Sequence, residues 1–278
     1  MERTMEVLRT VLPVLAMLMI GMLCRRRKLI SREGVNALKS VVVNITLPAV
    51  LLKAFATTRY TFMDVMIPLF MFAVCFIAWA LGRAAGRALG MTSRFVPFLT
   101  TGFEAGMLGY ALFNMLYGAA RTAEFARIDL GQVLFVFTLY KVLLGATGLY
   151  QALAPSGISG LFDACTGFVS APTSAIILLT IGYDLVLGDI PWASTAKVVG
   201  LRFAIMMLLR TALIALLNLL WPGAGLAAAI NVMFILPPPF VLPVFADDAD
   251  QRVYVSSALS VSTLAAIAGF AVLAAIGG

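Results

Sequence analysis

The sequence predicts an all-α integral membrane protein, and three observations predict it. Of the 278 residues, 62% are hydrophobic and only 12% charged, with a mean hydropathy of +1.02; so little polar surface cannot cover a soluble domain. Apolar windows of about 20 residues, the length a helix needs to cross about 30 Å of hydrocarbon, recur along the whole chain. None of them shows the alternation of an outer-membrane strand.

In order, the windows are residues 6–24, 36–56, 63–82, 95–118, 129–151, 161–187, 195–221, 223–246 and 252–276, nine spans joined by short connections. The first is not a secretory signal: Glu2 and Glu6 precede its apolar core, while Arg25, Arg26, Arg27 and Lys28 follow it, the reverse of a signal's charge order. The positive-inside rule then puts residues 25–33 in the cytoplasm and the amino terminus outside, in a multi-pass protein of the plasma or inner membrane. The loop carrying Arg83, Arg87 and Arg94, two crossings later, agrees. In the second span Pro48 frees the carbonyl of Asn44 from its helical partner. Asn44 and Thr46 beside it either bind an ion or substrate, or merely re-satisfy a kinked backbone.

The third span leads into Gly82, Gly86 and Gly90, interleaved with Arg83 and Arg87, a helix-packing stripe at a basic end. The fourth holds GFEAGMLGY at 102–110 and the eighth LPPPFVLP at 236–243, helix-breaking runs inside apolar windows. Three consecutive prolines, Pro237, Pro238 and Pro239, remove three donors and stop any helix. A break at membrane depth survives only where it is packed in protein or lines a cavity, and two breaks in corresponding places point to a transporter's binding site. Glu104 lies in the first break; a carboxylate within a span costs roughly 2.5–3.5 kcal/mol on insertion scales and faces a cavity or a partner. It is read as a proton-coupling or substrate-orienting group, or as paired with Lys141 of the fifth span or Arg210 of the seventh. Ala105, Gly106, Gly109 and Tyr110 complete that stretch, whose free N–H groups can meet an anion. The sixth span carries Pro172. On the ninth, Ser256, Ser260 and Thr263 share one face at i, i+4 and i+7. Lys39, Lys53 and Arg202, close to span ends, are expected to snorkel.

The net charge of +7 follows from topology and from anionic headgroups; nucleic-acid binding is not expected. With no histidine and with Cys24, Cys75 and Cys165 on separate segments, zinc and haem sites are excluded and no cofactor is expected. The sequon at Asn44 lies inside a span and is discarded. No GxxxxGK[ST] loop and no GxSxG motif occurs, which excludes a self-contained ATP-driven pump and leaves no enzyme reading. Secondary transport, facilitated diffusion or a channel remains.

The two halves also echo one another. NITLPAVLLKAF, with Pro48, and SAPTSAIILLTIG, with Pro172, each precede a plain span, a broken span and a final span. With GFEAGMLGYALF and PPPFVLPVFADDADQRVYVSSALSVSTL, in this order over most of the chain, the sequence resembles the auxin efflux carrier family, within the wider group that includes bile acid sodium symporters. The resemblance implies ten helices in two inverted five-helix repeats, a scaffold and a mobile unit, and two broken helices crossing at a substrate site for organic anions such as auxin-like or dicarboxylic acids. The sequence departs from it in showing nine spans. Residues 1–151 form a first repeat of five and residues 152–278 a second of four, the family's sixth helix having no counterpart between 151 and 161. Strict alternation then puts the start of the seventh span outside, whereas Lys197 and Arg202 argue for the cytoplasm.

The expectation is thus a carrier of small organic anions working by alternating access. The site is expected at Asn44, Glu104, Ala105, Gly106, Gly109, Tyr110, Pro237, Pro238 and Pro239. Glu104, Thr46, Ser256 and Ser260 are expected to couple to a proton or sodium ion. The alternatives are a sodium-coupled symporter, a passive channel and a non-transporting membrane protein; a homodimer is left open.

Overall fold

A computed structural model describes residues 2–41, 45, 62–136, 173–185, 190–246 and 248–276, and their regular structure is helical throughout. Helix α1 spans Glu2–Arg26, α2 Arg32–Val41 and α3 Phe62–Ala88. A single turn at Val96–Leu99 and a wide π turn at Ala105–Gly109 lead into α4, Tyr110–Tyr117. Helix α5 is Thr122–Phe135, α6 Thr173–Asp184, α7 Trp192–Leu220, α8 Ala227–Ile235 and α9 Ala249–Ile276. Among the described residues α3, α7 and α9 are long and apolar enough to cross a bilayer.

Local chemistry sets the helix ends. Gly90, at φ +69°, closes α3: its N–H reaches Arg87 O at 3.0 Å and the Met91 N–H reaches Gly86 O at 2.9 Å, the paired bonds of a Schellman cap. Of the expected packing stripe, Gly82 and Gly86 lie against Thr100 and Val96, where a Cβ would collide, while Gly90 faces open space. It ends the helix and packs nothing. Lys28 ends α1 in the same left-handed way, at φ 53°.

Without a hydrophobic drive between helices in lipid, small residues and van der Waals contact hold the bundle together. Gly21 of α1 meets the backbone of Leu179, Gly182 and Tyr183, and Gly182 meets that of Leu18, so α1 and α6 touch main chain to main chain. Gly131 of α5 abuts the Pro68 carbonyl of α3 in the same manner. Rings fill the space between α4, α5 and α8: Tyr110 with Phe125 at 4.9 Å, Phe113 with Phe125 at 5.1 Å and Phe103 with Phe234 at 5.2 Å between centroids.

Helix directions follow from these contacts. The end of α1 meets the end of α6, with Arg25 Nη1 donating to Leu185 O at 3.0 Å, so the two are parallel. Asp64 and Arg127 approach to 2.8 Å at the starts of α3 and α5, which are likewise parallel. The 90–93 loop shares a hollow of about 280 Å³ with Ser194, Lys197 and Tyr254, and Arg94 Nη2 donates to Phe245 O at 2.9 Å. The ends of α1, α3 and α6 and the starts of α7 and α9 therefore gather at one basic end. Lys197 indicates this placement by its charge, and strict alternation does not reproduce it, because α5 and α6 both run toward the basic end. Residues 137–172 lie outside the described residues, as does the second span's Asn44, Thr46, Pro48 and Lys53.

Candidate functional site

The first break begins where the helical turn Val96–Leu99 stops. Thr100 turns its hydroxyl back onto Val96 O at 3.1 Å, Thr101 Oγ1 donates to Cys75 O of α3 at 2.6 Å, and Gly102 takes φ +65°. The chain is non-helical only to Glu104; Ala105, Gly106 and Gly109 lie in the π turn, where the N–H of Gly109 reaches Glu104 O at 3.1 Å. The break is thus narrower than the glycine run suggests. The second follows from proline chemistry: α8 ends at Ile235, the buried Pro237, Pro238 and Pro239 have no N–H to continue it, and a 3₁₀ turn resumes at Leu242–Phe245.

The two breaks cross and bond to one another. The Glu104 N–H donates to Pro237 O at 2.9 Å, and the Phe240 N–H donates to Glu104 Oε2 at 2.6 Å. Gly102 lies so close under Pro239 that a Cβ would stand 3.0 Å from the ring Cγ. At Gly109 a Cβ would be 2.7 Å from both Leu236 Cδ1 and Phe125 Cζ. Glycine at these two positions is what lets the broken segments approach.

Broken helices leave carbonyls without donors, and one guanidinium takes four of them. Arg202 Nη1 donates to Leu99 O at 3.1 Å and Thr101 O at 3.4 Å; Nη2 donates to Gly102 O and Leu236 O, both at 2.8 Å. Arg202 does not snorkel, contrary to expectation. Helix α7 starts at Trp192, which sets Arg202 ten residues, about 15 Å, inside it, and it is only 5% exposed. Its planar fork, stacked 5.6 Å from the Phe103 ring centre, spreads its donors over two terminal nitrogens to span these carbonyls, whereas a lysine would offer its donors from a single nitrogen.

A second polar group escaped the sequence. Asp129, 4% exposed, receives Tyr110 Oη on Oδ2 at 2.9 Å and Gln132 Nε2 on Oδ1 at 2.7 Å, and Gln132 Oε1 accepts the Phe103 N–H at 3.4 Å. The signal was present: a carboxylate adjoining an apolar window, which marked only the window's edge. Because α5 begins at Thr122, Asp129 in fact lies two turns inside the helix. The Tyr110 hydroxyl is thereby directed at Asp129.

Beside the second break lies a cavity of about 240 Å³, which Phe240 and Pro243 share with Ser256, Ser260 and Thr263 of α9. Arg32, Lys39 and Arg252 bring cations to it and Asp184 a carboxylate. Lys39 is ion-paired with Asp184 across this cavity wall, and Arg32 Nη1 stands 3.8 Å from the same carboxylate; Lys39 reaches into protein where snorkelling was expected. Arg210, offered as a partner for Glu104, donates from Nε to Asn231 Oδ1 of α8 at 2.7 Å. Lys141 and Pro172 lie outside the described residues. A larger hollow, about 590 Å³, is lined by Trp79, Arg83, Arg87 and Arg94 at the basic end of α3, and no residue of the crossing lines it.

The arrangement pairs backbone amides and an anionic side chain at the crossing with a cation-lined cavity next to it. In comparisons with known proteins, the profile of the family described as "Membrane transport protein" matches residues 6–160, more than half of the chain. No curated protein and no solved structure matches.

Proposed function

The chain belongs to the membrane transport protein family, and from that premise we propose that it is a secondary carrier that moves a small organic anion by alternating access. The observation that carries the reading is the bond from the Phe240 N–H to the Glu104 carboxylate. A backbone amide released by a helix break is available to an anion, and here a side-chain carboxylate holds the place that a ligand carboxylate would take. Glu104 is in this reading a substrate-orienting gate: it releases Phe240 when an anion enters from the cavity bearing Arg32, Lys39 and Arg252. The substrate class is a monocarboxylate of the auxin type or a dicarboxylate, with the buried prolines keeping the Phe240 amide outside any regular helix.

Coupling to a proton is the first reading. Coupling to sodium has one observation in its favour, the hydroxyls of Ser256, Ser260 and Thr263 on the cavity wall. The order of charge around α1 supports a plasma or inner membrane location with the amino terminus outside. The test is counterflow in proteoliposomes with a radiolabelled four-carbon dicarboxylate and with an indole carboxylate. A carrier gives a transient overshoot that saturates with concentration and is lost in Glu104→Ala. Flux without saturation or overshoot indicates a channel and overturns the reading.

A further inference from the structure

We propose that Asp129 is a proton-binding site whose occupancy is tied to the position of the first break, and that it carries the coupling proton of the cycle; the second clause rests on the carrier reading above.

Asp129 lies within α5 and is buried, and both groups bonded to its carboxylate are neutral, Tyr110 and Gln132. Among the described residues no cation is paired with it. On α3 the ionisable groups packed toward α5 are Cys75 and, about three turns nearer the start, Asp64, whose charge is met by Arg127. On α4 the ionisable groups are Tyr110 and, two turns further on beside Arg121, Tyr117; α8 carries none. Within α5 itself Glu124 is held by Arg121 at 2.7 Å. Arg202 lies across Gly102, its guanidinium spread over the four carbonyls of the crossing.

An ion at membrane depth without a counter-charge is costly, by several kcal/mol. Neutral donors offset part of that cost. Asp129 thus stands where the gain or loss of one donor moves its proton, and both donors are tied to the first break: Tyr110 by chain continuity, and Gln132, itself on α5, through the Phe103 N–H it accepts. Tyr110 directly follows the π turn. Gln132 can donate to Asp129 and accept from the Phe103 N–H in only one amide orientation, so the backbone next to Glu104 fixes it. A displacement of the crossing that withdraws Phe103 and Tyr110 takes the Tyr110 donor from the carboxylate and releases the Gln132 amide from the orientation that points its N–H at Asp129. One proton from water then adds to a carboxylate oxygen, and it returns to water when the donors come back. By linkage, protonation favours the displaced arrangement to the same extent.

Infrared titration of the purified protein in lipid tests the proton site without any substrate. The carbonyl stretch of a protonated carboxyl should appear and vanish with pH in the wild type, be missing in Asp129→Asn and persist in Glu104→Gln. Tyr110→Phe, which keeps the ring on Phe125, should change the pH of its midpoint. A band unchanged in Asp129→Asn, or a midpoint unmoved in Tyr110→Phe, overturns the proposal even if one of the variants folds poorly. In counterflow vesicles, Asp129→Asn should retain exchange and lose acceleration by an imposed pH gradient; retained acceleration overturns the coupling role. Absence of counterflow in the wild type would overturn the carrier reading and with it the coupling clause, while the infrared result still decides whether Asp129 binds the proton.

Discussion

The Phe240 amide and the Glu104 carboxylate meet at 2.6 Å, so each broken segment completes the other: one supplies an anion, the other an uncommitted donor. This bond is charge-assisted, a type worth about 1.5–3 kcal/mol. Glu104→Gln retains an acceptor and should fold with near-normal thermal stability. Glu104→Ala leaves the Phe240 N–H without that acceptor and should lose counterflow; thermal unfolding in detergent beside the transport assay separates the two effects.

Arg202 holds four carbonyls in place. Arg202→Met removes every one of those donors, and with each orphaned buried group costing about 1–3 kcal/mol the variant should be among the least stable single substitutions. Arg202→Lys keeps the charge but not the fork, and should recover only part of the loss. Denaturant or heat unfolding of the three proteins orders them; equal stability of Arg202→Met and wild type would show the bonds to be dispensable.

Gly102 and Gly90 provide a matched pair, both at left-handed φ, +65° and +69°. Alanine costs about 1–2 kcal/mol at such a conformation. At Gly90 nothing adjoins the new Cβ, whereas at Gly102 it presses on Pro239. Gly102→Ala should therefore lose more stability than Gly90→Ala and should also impair transport, which Gly90→Ala leaves intact.

The Lys39 and Asp184 side chains are 29% and 34% exposed, so their pair should add no more than about 1 kcal/mol to stability. Its position on the cavity wall predicts a larger effect on function. Lys39→Met should barely change the unfolding temperature, yet raise the concentration of half-maximal dicarboxylate counterflow by roughly five-fold, the equivalent of about 1 kcal/mol. The difference should shrink in high salt.

Both breaks were legible in the sequence because Gly102 and the three prolines act through their own covalent structure, which no neighbour can override. Their partners were not legible. The acceptor for Phe240 is a side chain 136 residues away, and a backbone amide has no sequence signature. Arg202 and Asp129 were hidden by a habit of hydropathy windows, which treat a charge as the edge of a span. Whether such a residue reaches water or a ring of carbonyls is decided by the facing helices. The direction of α6 was equally out of reach, since charge and alternation disagreed and only the contacts of Gly21, Gly182 and Arg25 decide it.

Those last contacts have a mechanical consequence. Where Gly21 and Gly182 bring α1 and α6 together no side chain separates the helices, so no change of rotamer can lubricate sliding between them. The two must travel, or stand still, as a single plank, with Asp184 and hence one wall of the cavity fixed to the amino-terminal helix. The seam between the two halves of the sequence is therefore not the hinge line: a strut from each half is welded to the other, and any rocking motion has to pivot elsewhere.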